Sequence, residues 1–200
     1  MLVESGSCFV FAVGIYGSEA RFFRFDRSGA IASTSFSWAT RATILPKFFW
    51  RLCHPKLPKA RITGSDPTIS IPSPREKRMM HKKFRKITGG TANSFEVDTA
   101  HSLWIEARLE DNIVRCFTVG PPIFPSTELF GRTTHVEKVL LEQEDEPKLY
   151  ALKDSWAQLD RRPESEFYHI VHASSDDPVP GVAQCKGSYN LHEDRRLGFC

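Results

Sequence analysis

Five cysteines are spread over the 200 residues with no CxxC pair among them. An odd number at such spacing excludes a disulfide framework and a structural zinc set, and it suits a reducing, intracellular setting, either cytoplasm or nucleus. Long apolar runs are missing as well. Cys8 to Tyr16 is too short to span a bilayer and follows Glu4 rather than a basic segment, so it reads as a strand and not as a signal peptide or anchor. The seven histidines are scattered; only His169 and His172 have helical spacing, and no cysteine or acid completes a metal set around them. No internal repeat and no low-complexity stretch occurs. With 40% apolar residues, the chain can instead bury a core as one domain or two small ones.

Charge is present in near balance, at a net +3, but unevenly placed. From Met1 to Pro122 there are 18 Lys plus Arg against 10 Asp plus Glu; from Ile123 to Cys200 there are 9 against 14. The change of sign near Pro121-Pro122 suggests two regions, 1–122 and 123–200.

The first region opens as a meander. Phe9 to Tyr16 is rich in aromatic and β-branched residues, Gly17-Ser18 gives a turn, Ala20 to Asp26 reads as a second strand, and Ala30 to Phe36 follows Ser28-Gly29. Leu45 to Leu52 has apolar side chains at helical spacing, with Pro46 tolerable in a first turn, and predicts a short helix on the meander. Pro55 to Pro74 is proline-rich and extended or turning. Arg75 to Lys86 is the most basic stretch; a solvated helix face and an electrostatic site for nucleic acid or an acidic partner both fit it. Ser102 to Ala107 and Ile113 to Val119 alternate like paired strands around Glu110-Asp111-Asn112. Asp26 and Arg27 flank a tight turn, where an aspartate ordinarily serves local backbone hydrogen bonds rather than hydrolysis.

In the second region the expected order is a strand from Ile123 to Phe130, a turn at Gly131 to Thr134, strands from Val136 to Gln143 and from Lys148 to Trp156, a helix from Pro163 to His172, and a strand from Val182 to Tyr189. That is the order of a kinase small lobe, in which a strand lysine reaches the ATP phosphates and a helix glutamate holds it by an ion pair. Lys153, in Tyr150-Ala151-Leu152-Lys153, occupies the lysine's place, although any solvated strand end can show the same pattern. Both Glu164 and Glu166 lie in the first turn of the following helix. Glu164 is the favoured partner because Tyr168 and Val171 share its face; both acids also suit the positive end of the helix dipole. Gly131, Arg132, Thr133 and Thr134 supply a phosphate-covering turn with a single glycine, where close backbone approach calls for more.

Several strings together resemble the fungal-type protein kinase family: Phe22-Phe23-Arg24-Phe25-Asp26-Arg27-Ser28-Gly29, Asp66-Pro67-Thr68-Ile69, Gly131-Arg132-Thr133-Thr134-His135-Val136, and Ala151-Leu152-Lys153-Asp154-Ser155-Trp156 followed by Arg162-Pro163-Glu164-Ser165-Glu166-Phe167-Tyr168. The resemblance implies an α+β chain, with a β-rich N-terminal region preceding a partial kinase-like small lobe of antiparallel sheet plus one helix. It implies Lys153 as the ATP-contacting lysine, Glu164 as its partner, 131–136 as the loop above the phosphates, and ATP with Mg2+ as cofactors of a Ser/Thr phosphotransferase. Thr133 stands where the family has a second glycine. No His-Arg-Asp and no Asp-Phe-Gly triplet occurs, and His192 to Cys200 reads as an abrupt end, so a truncated chain without phosphotransfer of its own is expected. A basic interaction module that binds an acidic protein or nucleic acid through Arg75 to Lys86 is the alternative.

Overall fold

The computed structural model of the chain describes residues 8–26, 29–54, 64, 66–89, 101–109, 112–125, 133–156, 161–173 and 178–190. They form two compact units, one within Met1–Pro67 and Thr127–Thr133, the other within Thr68–Ser126 and Thr134–Phe199. Both contribute antiparallel sheet, and with three helices the described chain is α+β and rich in β.

The first unit is built on a hairpin. Strands β1 (Phe9–Tyr16) and β2 (Glu19–Asp26) pair from Phe9↔Asp26 to Tyr16↔Glu19, leaving Gly17 and Ser18 as a two-residue turn. Gly17 sits at φ +58, the left-handed region that such a turn demands and glycine enters without steric cost. Strand β3 (Gly29–Ala32) continues the meander, and the short β4 (Phe36–Ser37) pairs with the start of β2. The Asp26 carboxylate accepts from the Gly29 N–H at 3.1 Å, a local turn bond of the kind its position predicts. Helix α1 (Ile44–Cys53) covers one face of this sheet. Its Phe48 ring stacks on Phe22 at 4.1 Å and meets Phe11 edge-on at 5.8 Å, while Phe22 also lies 5.0 Å from Phe36.

In the second unit, β5 (Ile69–Ser70), β6 (Trp104–Leu109), β7 (Asn112–Thr118), β8 (His135–Leu141) and β9 (Tyr150–Asp154) form one antiparallel sheet in that order. The register lines Trp104 up with Phe117 and Phe117 with Leu140. Side chains alternate faces along a strand, so these three share one face. Helix α2 (Pro74–Ile87) packs there through Met80 and Phe84, giving a core of Met80, Phe84, Trp104, Phe117, Val119 and Leu140. The opposite face buries Val114, Cys116 and Val139, packed by Ile105, Leu109, Leu141, Tyr150 and Leu152.

Helix α2 begins at a complete capping box. Glu76 N–H donates to the Ser73 hydroxyl at 3.3 Å, Ser73 N–H donates to the Glu76 carboxylate at 2.7 Å, and Pro74 occupies the first turn. These bonds from Ser73, with help from the Arg115 guanidinium, lower the Glu76 carboxyl to about 2. Arg115 stacks over the Trp104 ring at 4.3 Å and bridges Glu76, at 3.2 Å, to Glu142, at 3.1 Å. Lys83 donates to the Glu142 and Glu144 carbonyls, each at 2.8 Å. Helix and sheet are thus tied by charge-assisted bonds around the apolar contact.

The sign change of charge at Pro121-Pro122 falls between β7 and β8, which pair with each other. One expectation meets the structure differently. Val182 to Tyr189 is not a strand. No ladder forms there; the segment is held instead by side chains, with Tyr189 O–H donating to the Glu106 carbonyl at 3.0 Å and the His172 ring accepting from Val179 N–H at Nδ1 while its Nε2 reaches the Ala183 carbonyl. Gly187 lies so near Leu109 that a Cβ would meet its Cδ2 at 2.6 Å. Of the strand expected from Ile123 to Phe130, Phe124 bridges Val136 and 126–132 lie outside the described residues.

Candidate functional site

Strand β9 carries Tyr150-Ala151-Leu152-Lys153-Asp154, and its pairing with β8 sets Val136 beside Lys153 and Lys138 beside Ala151. Because faces alternate, Leu152 turns into the apolar cluster on one side and Lys153 turns to the other. Tyr150, on the side of Leu152, donates its hydroxyl to the Glu144 carboxylate at 2.6 Å, and that bond first, with burial, pushes the phenol up to about 12. The short strand is therefore held by its ladder with β8 and by the packing of Tyr150 and Leu152, and the lysine leaves a firm backbone.

Helix α3 (Glu164–Ala173) follows, with Glu164 and Glu166 in its first turn. The Lys153 ammonium donates to Glu164 Oε2 in a close ion pair. Tyr168, one helical turn on, donates its hydroxyl to the other carboxylate oxygen at 3.3 Å. Each oxygen of Glu164 thus has a different donor, which orients the carboxylate. Glu166 forms no hydrogen bond or ion pair with Lys153 among the described residues; its backbone N–H donates to the Pro163 carbonyl at 3.1 Å and closes the first turn. The pair is open to solvent, with the lysine side chain 42% and the glutamate side chain 50% exposed. In that setting the attraction contributes little to stability, and its consequence is where it puts the ammonium.

Of the expected turn above the phosphates, Gly131 and Arg132 lie outside the described residues. Thr133 is described and has φ 37, the only positive φ outside glycine among the described residues. A β-branched residue is strained in that region, where glycine is at home. The position where the sequence departs from a second glycine therefore keeps a backbone suited to glycine. The Thr133 side chain is buried, and its Oγ1 has no hydrogen-bond partner among the described residues. Thr134 leads directly into β8, two residues before the register partner of Lys153.

Among the described residues no three His, Cys, Asp or Glu side chains converge as a metal set. No helix among the described residues is long and apolar enough to cross a membrane. Sequence reasoning brought together Lys153, Glu164 and Tyr168, which the structure also brings together. It missed the Glu76, Arg115 and Glu142 bridge, whose members lie 39 and 27 residues apart and carry no local spacing signal.

No match to the chain was found among curated proteins or among solved structures. The family profile described as fungal protein kinase matches residues 3–196, nearly the whole chain. With that match and this order of strands and helix, the chain belongs to the fungal protein kinase family.

Proposed function

We propose that the chain carries the nucleotide-facing part of a protein kinase small lobe, in which Lys153 contacts the α- and β-phosphates of ATP and Glu164 holds that lysine in position. The observation that carries this reading is the Lys153–Glu164 pair, from the strand before the helix to the helix's first turn, with Tyr168 orienting the carboxylate. A lysine so held presents a positive charge at a set place, which is what binding to a phosphate chain requires; phosphoryl transfer itself calls for positioning and charge neutralisation. Gly131 to Thr134 form the turn over the phosphates in this reading, with Thr133 limiting how closely the backbone approaches.

The small-lobe part is 123–200, with β8, β9 and α3, and 1–122 is an N-terminal region whose last strands extend the lobe's sheet. The acceptor chemistry is that of Ser or Thr hydroxyls. These 200 residues transfer no phosphate by themselves, because the sequence holds neither a His-Arg-Asp nor an Asp-Phe-Gly triplet to supply a catalytic aspartate and a metal-binding acid. An intracellular setting belongs to the same reading, supported by the free thiols of Cys53, Cys116 and Cys185.

Thermal unfolding with and without millimolar ATP and magnesium tests it. A stabilisation in the wild type that disappears in Lys153→Ala is expected. Absence of any shift, or an equal shift in both proteins, overturns the nucleotide role and leaves family membership alone. Transfer of label from γ-labelled ATP to a general protein substrate would contradict the inactivity of the chain on its own.

A further inference from the structure

Helix α2 does two things with its cations. On the side that faces the sheet, Lys83 is taken up by the Glu142 and Glu144 carbonyls, and the one acid of the helix, Glu76, is held by Ser73 and Arg115. The outer side carries Arg75, Arg78, Lys82, Arg85 and Lys86, all exposed and none in an ion pair with an acid among the described residues. At 3.6 residues per turn these five side chains project within about 100° of one another, opposite the buried Met80 and Phe84. From Arg75 to Lys86 the stripe runs about 16 Å along the axis. The helix is pinned at its start by the capping box and along its inner face by the core, so the five cations sit on a rigid rod rather than on a loose tail.

We infer that this stripe is a docking surface for the phosphate backbone of a nucleic acid duplex, bound without regard to sequence. Charge complementarity selects that occupant. Along one strand a duplex offers one negative charge per ~3.4 Å, so a stripe of about 16 Å with five cations matches the spacing of the phosphates whatever the base sequence. An acidic peptide docks through apolar anchors seated in pockets as well as through charge. The stripe offers a single apolar side chain, Met79, itself 45% exposed, and no acidic residue on that side. The proposal is independent of the nucleotide reading of Lys153, which lies on β9.

The test is binding of the full chain to a fluorescent mixed-sequence DNA duplex, followed by anisotropy as salt is raised. Five released counterions give a slope of about −4.5 in log affinity against log salt, a weakening of about 500-fold between about 50 and 200 mM. The triple variant Arg78→Gln, Lys82→Gln, Arg85→Gln should reduce the slope to about −2. Removing the same charge from exposed positions elsewhere, with Lys47→Gln, Arg51→Gln and Lys148→Gln, should leave the slope as it is. Thermal unfolding of each variant establishes that it is folded. No binding at the lowest salt, or equal loss in both triple variants, overturns the assignment. Competition by a polyglutamate peptide as effective, charge for charge, as the duplex itself would also overturn it and make an acidic protein the occupant.

Discussion

The two units use aromatic residues to different effect. In the first, Phe11, Phe22, Phe36 and Phe48 gather on one face of a four-stranded sheet under α1, yet Ala20 and Phe36 are the only apolar residues there that are buried among the described residues. Phe49 and Trp50 of α1 stay more than half exposed. In the second, a comparable sheet is packed on both faces and buries Met80, Phe84, Trp104, Phe117 and Leu140 on one side and Val114, Cys116 and Val139 on the other. Burial thus does not follow from how many large rings a segment contains. Both units also lay an arginine over an aromatic ring at 4.3 Å, Arg24 on Phe9 and Arg115 on Trp104. Their ion pairs differ: Arg115 ties helix α2 to the sheet through Glu76 and Glu142, whereas Arg24 pairs with Asp26 two residues along its own strand.

The largest expected difference lies in the cores. Phe117→Ala removes a fully buried ring and should cost about 3–5 kcal/mol, whereas Phe48→Ala, at a half-buried position, should cost about 1–2 kcal/mol. Denaturant unfolding of the two variants checks this, and equal losses would erase the contrast drawn between the units. Next come the arginines. Arg115→Ala should destabilise by about 2 kcal/mol through its charged hydrogen bonds, and Arg24→Ala by less than about 1 kcal/mol.

Acid should separate the units further. The folded Glu76 carboxyl lies near 2, below the 4.5 of an unperturbed glutamate. Its contribution is therefore complete above pH 4.5 and fades as pH falls toward 2. Stability of the second unit should decline over that window, and Glu76→Gln should flatten the decline; an unchanged profile in the variant would remove Glu76 as its source. The smallest effect is expected from Thr133→Gly, which relieves the left-handed backbone and should raise stability by about 0.5–1 kcal/mol in thermal unfolding.

Much of this was legible locally. Gly17-Ser18 between two aromatic, β-branched runs marks the β1–β2 hairpin, and the spacing of Phe48 and its neighbours marks α1. The choice of Glu164 over Glu166 as the acid that meets Lys153 could be read from helical spacing, because Tyr168 falls one turn later on the same face. The path of the sheet was not legible. Charge sign is a property of solvent-exposed side chains, while β7 and β8 pair through backbone groups that carry none, so the change near Pro121-Pro122 has no counterpart in the ladder. Val182 to Tyr189 has strand-forming residues but docks by single side-chain bonds, a tertiary outcome that alternation does not foretell. The basic composition of 75–86 did not disclose which cations α2 turns inward; that required Lys83 to be seen at the Glu142 and Glu144 carbonyls.

In the proposed reading Glu164, and not its neighbour in the same turn, sets Lys153 for a phosphate chain. Equilibrium titration of a fluorescent ATP analogue against wild type, Glu164→Gln and Glu166→Gln tests this most directly. Binding should weaken severalfold or more in Glu164→Gln and stay unchanged in Glu166→Gln. Equal affinity in all three proteins, or a loss confined to Glu166→Gln, would contradict it.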